Sequence, residues 1–346
     1  MSDDERLDSR SPSTGLNTAV EREAPPVAEA ARRAGAPVVS VVIPAYGVVS
    51  FIREALESVL AQTFRDYEVI VVNDGSPDAR DLEQELEPFR EHIVYVRQDN
   101  RGAGGARNSG LRLARGSLVA FLDGDDAWLP NHLEAQLALI RGDGGYDLVY
   151  ANGVNFGERA LGGTTCMDTN PSEGTATFES LVRGTCSVTM STVVARREAL
   201  FRAGLFDENF RNSQDFDLWL RLARLSGARV GYQRSVLIRR RVREGSLASD
   251  PIRSLEGELE VLEAARGWRD LSTVERTAIE ETLGRRRAEV EVLRGKRSLL
   301  AGEFELAARA FRAALAYRDS WKLRAVLISL RFAPQLTQRM SRSRSA

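Results

Sequence analysis

From Val38 onward, short β-branched runs alternate with stretches whose apolar residues recur at helical spacing. The run VVSVVI stops at Pro44, the pattern of a strand buried on both faces. Phe51 to Leu60 (FIREALESVL) predicts a helix. EVIVVND predicts a second buried strand that ends in the turn Asp74-Gly75-Ser76. A charged helix is expected near Leu82 to Arg90, a third strand at IVYVRQ, a helix from Gly105 to Ala114 and a fourth strand at SLVAFLD. This alternation predicts an open, mostly parallel, doubly wound α/β sheet flanked by helices. Ligands of such sheets bind beyond the carboxyl ends of the strands. Tyr46, Asp74, Asp99 and Asp123 all fall there, so the first half of the chain is expected to build a nucleotide-sized pocket.

The pattern is mixed from about residue 145 to 250. DLVYANG reads as a strand, Phe178 to Arg183 as a helix, and SVTMSTVVARR as a strand leading into a helix at Glu198. FDLWLRLAR predicts an amphipathic helix, and GYQRSVLIRRRV an edge strand rich in arginine. Beyond residue 252 the chain is helical and charged, with a turn at Gly302. EVEVLRGKRSLLAGEFELAARAFRAALAY is similar to one tetratricopeptide-like helix pair, but one copy is no array. The expected organisation is a leader over residues 1–36, a sheet domain over 37–250, a helical extension packed on it over 251–335, and a basic tail over 336–346. Leader and tail hold too few large apolar residues to offset ordering, and both are expected to be disordered.

The 346 residues are 43% hydrophobic and 28% charged, with a net charge of −1. No dominant field favours nucleic acid, and no basic cluster interleaved with aromatics supplies a groove for it. Cys166 and Cys186 alone build neither a zinc site nor a disulfide framework. They suit a reduced, cytoplasmic setting. The start, MSDDERLDSR, lacks the apolar core of a signal peptide. No apolar run approaches the ~18 residues of a membrane span.

The segment FLDGDDAWLP places Asp123, Asp125 and Asp126 directly after a strand. Such mutually repelling carboxylates suit a hard divalent cation, Mn²⁺ or Mg²⁺, shared with a diphosphate. A polar turn in which Asp126 caps a helix is the competing reading. NRGAGGARNSG fits GxG at Gly102 and Gly104, but Arg107 stands where a third glycine would be, and no Walker ending follows. Flexible backbone leading to Arg107 and Asn108 at a helix start suits an anionic ligand. Asp74 is either a turn residue or an acceptor for a base or ribose. Asp215, in SQDFDLWLRLA, is either a helix cap or a general base. His92 and His132 read as surface or packing residues, and Trp128 and Trp219 as core.

Taken in order, VSVVIPAYG, VVNDGS, NRGAGGARNSG, FLDGDDAWLP and SQDFDLWLRLA resemble glycosyltransferase family 2 over roughly residues 38 to 250. The resemblance implies a GT-A fold over 37–250 and an inverting transferase that takes a nucleotide-sugar donor, with UDP favoured. It implies that Pro44, Ala45, Tyr46 and Asp74 hold the base, that Gly102 and Arg107 lie near the donor, and that Asp123 contacts ribose or sugar. It also implies that Asp125 binds Mn²⁺ or Mg²⁺ and that Asp215 is the catalytic base. The acceptor would be a cell-surface glycan or a lipid-linked acceptor, and the basic tail suits a peripheral contact with an anionic membrane face.

Two positions depart from the family pattern. Gln214 replaces the glutamate that often precedes the base, and Arg243 stands where many members carry a metal-binding histidine. Arg243 is expected to contact the diphosphate and to loosen the metal requirement. An inactive carbohydrate-binding or scaffold protein of the same fold is the alternative. A sugar-phosphate nucleotidyltransferase is disfavoured, because PAYGVVSFI has no long glycine-rich loop with a basic residue.

Overall fold

The computed structural model describes residues 35–158, 160, 163–244 and 250–342. Most of the expected leader and residues 343–346 of the expected tail lie outside the described residues.

Among the described residues, one sheet holds β1 (Val39–Ala45), β2 (Tyr67–Asp74), β3 (Ile93–Gln98), β4 (Leu118–Phe121), β5 (Ala127–Trp128), β6 (Leu148–Phe156), β7 (Val194–Arg196) and β8 (Val230–Arg241). Their order is β3-β2-β1-β4-β7-β6-β8-β5. The first four strands pair in parallel, as the strand–helix alternation predicts. The second half is mixed: β7 runs antiparallel to β4 and β6, β5 runs antiparallel to β8, and β6 and β8 are parallel. The arginine-rich β8 pairs with β6 and otherwise, among the described residues, with the two-residue β5 and through one isolated bridge from Val230 to Ala176, so it is close to the edge strand its composition suggested.

The helices before residue 250 are α1 (Val49–Leu60), α2 (Ala79–Leu86), α3 (Gly102–Leu113), α4 (His132–Arg141), α5 (Cys166–Thr169), α6 (Phe178–Arg183), α7 (Arg197–Arg202) and α8 (Gln214–Ala223). Strand alternation explains how they form two layers. Val39, Val41 and Ile43 of β1 pack with α1, α2 and α4, whereas Val42 packs with α3 and α8. Full burial of each such side chain contributes about 1.5–3 kcal/mol.

Helix α3 starts at Gly102, three residues before the expected Gly105, so the glycine-rich segment is its first turn and not a flexible loop. Glycine costs up to ~1 kcal/mol relative to alanine in a helix, and packing offsets that cost here. A Cβ on Gly105 would lie 2.5 Å from the Arg101 Cβ, and one on Gly110 would lie 2.4 Å from Val42 Cγ1. The absent side chain at Gly110 lets α3 lie tightly on β1, and that at Gly105 leaves room for the side chains of Arg101 and Glu208.

The extension comprises α9 (Pro251–Arg266), α10 (Thr273–Ala301), α11 (Phe304–Tyr317), α12 (Trp321–Phe332) and α13 (Pro334–Arg342). Asp250 caps α9 with Pro251 at its first position, and Ser272 with Glu275 forms a capping box on α10. Gly302, at φ +84°, ends α10 as the turn pattern predicted. Val261, Leu262, Ala265, Ala278, Ile279 and Leu283 share one apolar cluster with Leu218 and Trp219 of α8, so α9 and α10 complete the core of the sheet domain. α13 occupies part of the segment expected to be an unstructured tail. Thr337 donates its hydroxyl to the Ala333 carbonyl (3.0 Å), and the Gln338 side-chain amide donates to the Leu300 carbonyl (3.1 Å).

Gly110→Ala is expected to cost about 1–3 kcal/mol through overpacking against Val42. Gly284→Ala, in α10 with open space around it, is expected to stabilise by about 0.5–1 kcal/mol. Urea denaturation of both variants checks the contrast.

Candidate active site

A cleft of about 910 Å³ opens at the carboxyl ends of β1, β2 and β4. Its lining includes Pro44, Tyr46, Asp74, Gly102, Arg107, Asp123, Asp125, Asp215 and Arg243. Eight of the sequence-proposed donor and metal residues, and the proposed base, therefore meet in one place. Ala45 does not line it: strand alternation turns this residue into the α1 side of the core, where it is fully buried. Asp99, at the end of β3, is exposed and also lies outside the lining. Tyr46 stands half-exposed at the lip.

Asp74 ends β2 and is buried. Its Oδ1 accepts from the Gln98 side chain (2.7 Å) and from the Arg101 amide (2.9 Å). Burial raises its pKa, and these donors oppose that rise. The next residue, Gly75, has φ +66°, and a Cβ there would meet the Asn100 amide nitrogen at 2.8 Å. Only glycine turns the chain here without strain.

The acidic segment after β4 divides into three roles. Asp123 accepts from Arg107 Nη2 of α3 at 2.5 Å, and the guanidinium of Arg107 lies 5.7 Å from the Phe206 ring. Asp125 accepts from Arg243 Nε at 2.7 Å. Burial and then Asp123 raise the pKa of Asp125, and Arg243 lowers it. Asp126 caps no helix, because Ala127–Trp128 is a strand. Instead it is buried, accepting from the Ser191 hydroxyl (2.6 Å) and the Arg241 amide (2.8 Å), and it ties β4 to β8. Burial, followed by its two acidic neighbours, pushes its pKa up.

Asp215 lies in the first turn of α8. Ser213 precedes that helix at φ +57°, a left-handed conformation for a residue other than glycine. The Asp215 carboxyl accepts the adjacent Phe216 amide at 2.9 Å. Burial raises its pKa, and Arg107 opposes that rise. Gln214 points elsewhere: it packs against Gly104 of α3, outside the cleft lining, with its Oε1 buried and unbonded. Asn108 is structural, bridging the Phe206 carbonyl and amide at 2.9 and 3.0 Å. The buried His132 stacks on Trp128 at 4.3 Å, and His92 is exposed. Trp128 is core, whereas Trp219 is buried but reaches the cleft.

Two groups of lining residues escaped the motifs. Arg240 and Arg241 end the arginine-rich β8, whereas the sequence singled out only Arg243, just beyond that strand. The guanidinium of Arg241 is sandwiched between the rings of Phe51 (4.6 Å) and Phe156 (4.3 Å) and donates to the Asp125 carbonyl (2.9 Å). The other group, Arg253, Ser254, Glu258 and Arg286, comes from α9 and α10. No local pattern marks these helices as approaching the cleft. Gly257 does so physically, because a Cβ there would meet Asn212 Cβ and Ser213 Oγ at 2.8 Å. α9 therefore braces the turn that presents Asp215.

Hard divalent ions are commonly held by one or two carboxylates plus substrate phosphates. Asp123 and Asp125, each with an oxygen committed to an arginine, fit that arrangement. Among the described residues no group of three His, Cys, Asp or Glu side chains forms an all-protein cage.

Ser191→Ala removes the hydroxyl donor to the buried Asp126 and the acceptor for the Asp123 amide. It is expected to cost about 1–3 kcal/mol at neutral pH, read by urea denaturation.

The family model described as Glycosyl transferase family 2 matches residues 40–200. An uncharacterized glycosyltransferase of Rickettsia prowazekii is 28% identical over 228 residues, covering 64% of this chain and 69% of the relative. A Rickettsia bellii relative is 31% identical over 213 residues, covering 59% of this chain but only 30% of its own length. The putative teichuronic acid biosynthesis glycosyltransferase TuaG of Bacillus subtilis is 43% identical over 107 residues, covering 30% of this chain and 42% of its own. Among solved structures, S. aureus TarS 1–349 in complex with UDP-GlcNAc superposes with a TM-score of 0.58 at 20% identity, covering 88% of this chain and 90% of that one. The mannosyltransferase PcManGT of Pyrobaculum calidifontis, in complex with GDP-Man and Mn²⁺, gives 0.59 at 19% identity, covering 88% and 84%. The five motifs gather around one cleft at the sheet's carboxyl edge, residues 40–200 match the model of glycosyl transferase family 2, and the fold is that of GT-A glycosyltransferases.

Proposed function

We propose that this chain is an inverting, metal-assisted glycosyltransferase that moves a sugar from a UDP-sugar to a hydroxyl of a cell-surface glycan. The state of Asp215 carries this reading. Asp74, Asp123, Asp125, Asp126 and Glu258 all accept from, or pair with, side chains elsewhere in the fold. Among the described residues the Asp215 carboxyl accepts only backbone amides of its own turn, which leaves it available to take a proton.

The step balances as a single displacement. Asp215 removes the proton from the acceptor hydroxyl as its oxygen bonds to the anomeric carbon. The bond from that carbon to the diphosphate breaks, its electron pair leaves with the nucleotide, and attack from the opposite face inverts the centre. Positive charge builds on the sugar, as in glycoside hydrolysis. Arg107 holds Asp123 toward the donor, and Asp74 and Tyr46 flank the base. Mn²⁺ or Mg²⁺ would be held by Asp125 with Asp123 and would stabilise the charge on the departing diphosphate. Arg243 already supplies one positive charge at that place, so the metal requirement is looser than in a histidine-bearing relative.

The donor class is supported by the complexes of TarS with UDP-GlcNAc and of PcManGT with GDP-Man. The surface-glycan acceptor is supported by the likeness to TuaG. We assign residues 37–250 to the transferase domain and 251–335 to an extension whose Arg253, Ser254, Glu258 and Arg286 form the acceptor wall. A cytoplasmic site of action agrees with two buried free cysteines. No helix among the described residues is long and apolar enough to cross a membrane. The second reading, a silent carbohydrate-binding scaffold, draws on the Arg243–Asp125 pair, which occupies a proposed metal ligand.

Nucleotide release from a panel of UDP-, dTDP- and GDP-sugars tests the reading. Release from one donor is expected, with Asp215→Asn lowering kcat at least ~100-fold and leaving nucleotide affinity nearly unchanged. Nucleotide binding with no turnover of any donor, even when acceptor glycans are added, favours the scaffold. Because the Asp215 pKa is raised, activity is expected to fall with acidification through a midpoint above the ordinary carboxylate value of about 3.9. A kcat/KM profile whose acid limb lies at or below that value contradicts the assignment.

A further inference from the structure

We propose that α12 and α13 form a docking face for an anionic lipid surface. The inference stands on geometry distant from the chemistry and does not rest on the transferase reading.

Helix α12, WKLRAVLISLRF, is apolar on two sides. One side is used: Leu330 is buried with Leu299, Ala307 and Phe311, and Leu323, Val326 and Leu327 pack against that cluster. The other side carries Trp321, Ala325, Ile328 and Phe332, spaced four, three and four residues apart, which places them along one stripe. The stripe is exposed: Trp321 by 75%, Ile328 by 61% and Phe332 by 76%. Leu336 of α13 adds a further exposed apolar side chain. A helix apolar all round is normally covered on both sides, and a large exposed apolar patch marks an interaction surface.

The charges around the stripe say what covers it. From Ser320 to Met340 there is no acidic residue, while Lys322, Arg324, Arg331 and Arg339 are basic. Lys322, Arg324 and Arg331 are exposed beside the stripe, and Arg324 also pairs with Asp319 at 2.9 Å. In a chain with a net charge of −1, this is a local concentration of one sign. Tryptophan and phenylalanine between basic residues, on a helix only 12 residues long, match a helix lying in the plane of a membrane interface. At ~1.5 Å per residue α12 is too short to span a bilayer. An uncharged protein surface would bury the same apolar side chains but would bring no counter-charge to Lys322 and Arg331. Anionic headgroups satisfy both features.

Co-sedimentation of the full chain with vesicles tests the face. Vesicles containing phosphatidylglycerol are expected to retain the protein at low salt, with retention falling as salt rises, while phosphatidylcholine vesicles retain little. Paired Trp321→Glu and Phe332→Glu substitutions are expected to weaken retention at least about tenfold. Their side chains are exposed, so the circular dichroism spectrum and Tm should be unchanged. The milder Trp321→Ser and Phe332→Ser pair should weaken it in the same direction. Absence of retention on phosphatidylglycerol vesicles overturns the proposal, as does retention that both pairs leave intact. A concentration-dependent dimer that the same variants abolish, without vesicle binding, would instead assign the face to a second copy.

Discussion

Six carboxyl groups line one cleft, and the architecture around it follows from the need to neutralise or protonate most of them. Like charges in a partly desolvated wall repel, and removing one partner of a buried pair costs about 3–5 kcal/mol. Most of these acids therefore draw a partner from another element. Arg107 on α3 meets Asp123, Arg243 beyond β8 meets Asp125, Arg286 on α10 meets Glu258, and Ser191 with the Arg241 amide holds Asp126. These contacts join the parallel half of the sheet to the mixed half and to the helical extension. The cleft is thus where three parts of the chain are fastened together. Asp215, left without such a partner, is the exception that chemistry can use.

The extension is part of this construction. α9 and α10 share an apolar cluster with α8. Gly257 lets α9 touch the turn before α8 closely enough to brace Ser213 in its left-handed conformation. The same helices supply side chains to the cleft. The far end of the extension is of a different character, because α12 spends one side on packing and leaves an aromatic side open. One end of the extension thus contributes to the cleft, and the other presents a surface.

Much of this was legible in the chain, for physical reasons. Strands β1 to β4 are continuous β-branched runs, and a parallel sheet buried on both faces demands that composition. Strand ends then located Tyr46, Asp74 and Asp123 without further information. Ala45 was misplaced because the motif ignores alternation, which turns every second residue of a strand to the opposite face. The glycine run at Gly102 read as a loop, since glycine's low helix propensity hides a helix start whose glycines serve packing. Asp126 read as part of a cation-binding cluster or, in the competing reading, as a helix cap, because short acidic turns look alike until a distant β8 and Ser191 close around them. Arg253, Glu258 and Arg286 carried no signal, since they reach the cleft only through packing of helices far along the chain. The metal question turns on Arg243, visible as a departure in the sequence, whose partner Asp125 lies 118 residues away.

Calorimetric titration of UDP into the wild-type protein, with Mn²⁺ and then with excess chelator, tests most directly whether an arginine performs part of the work of a metal here. Arg243→Ala measured alongside completes the comparison. The account predicts that wild-type affinity falls less than about tenfold on chelation, whereas that of Arg243→Ala falls much further. Complete loss of UDP binding by the wild-type protein on chelation, with Arg243→Ala responding no more strongly, would contradict it.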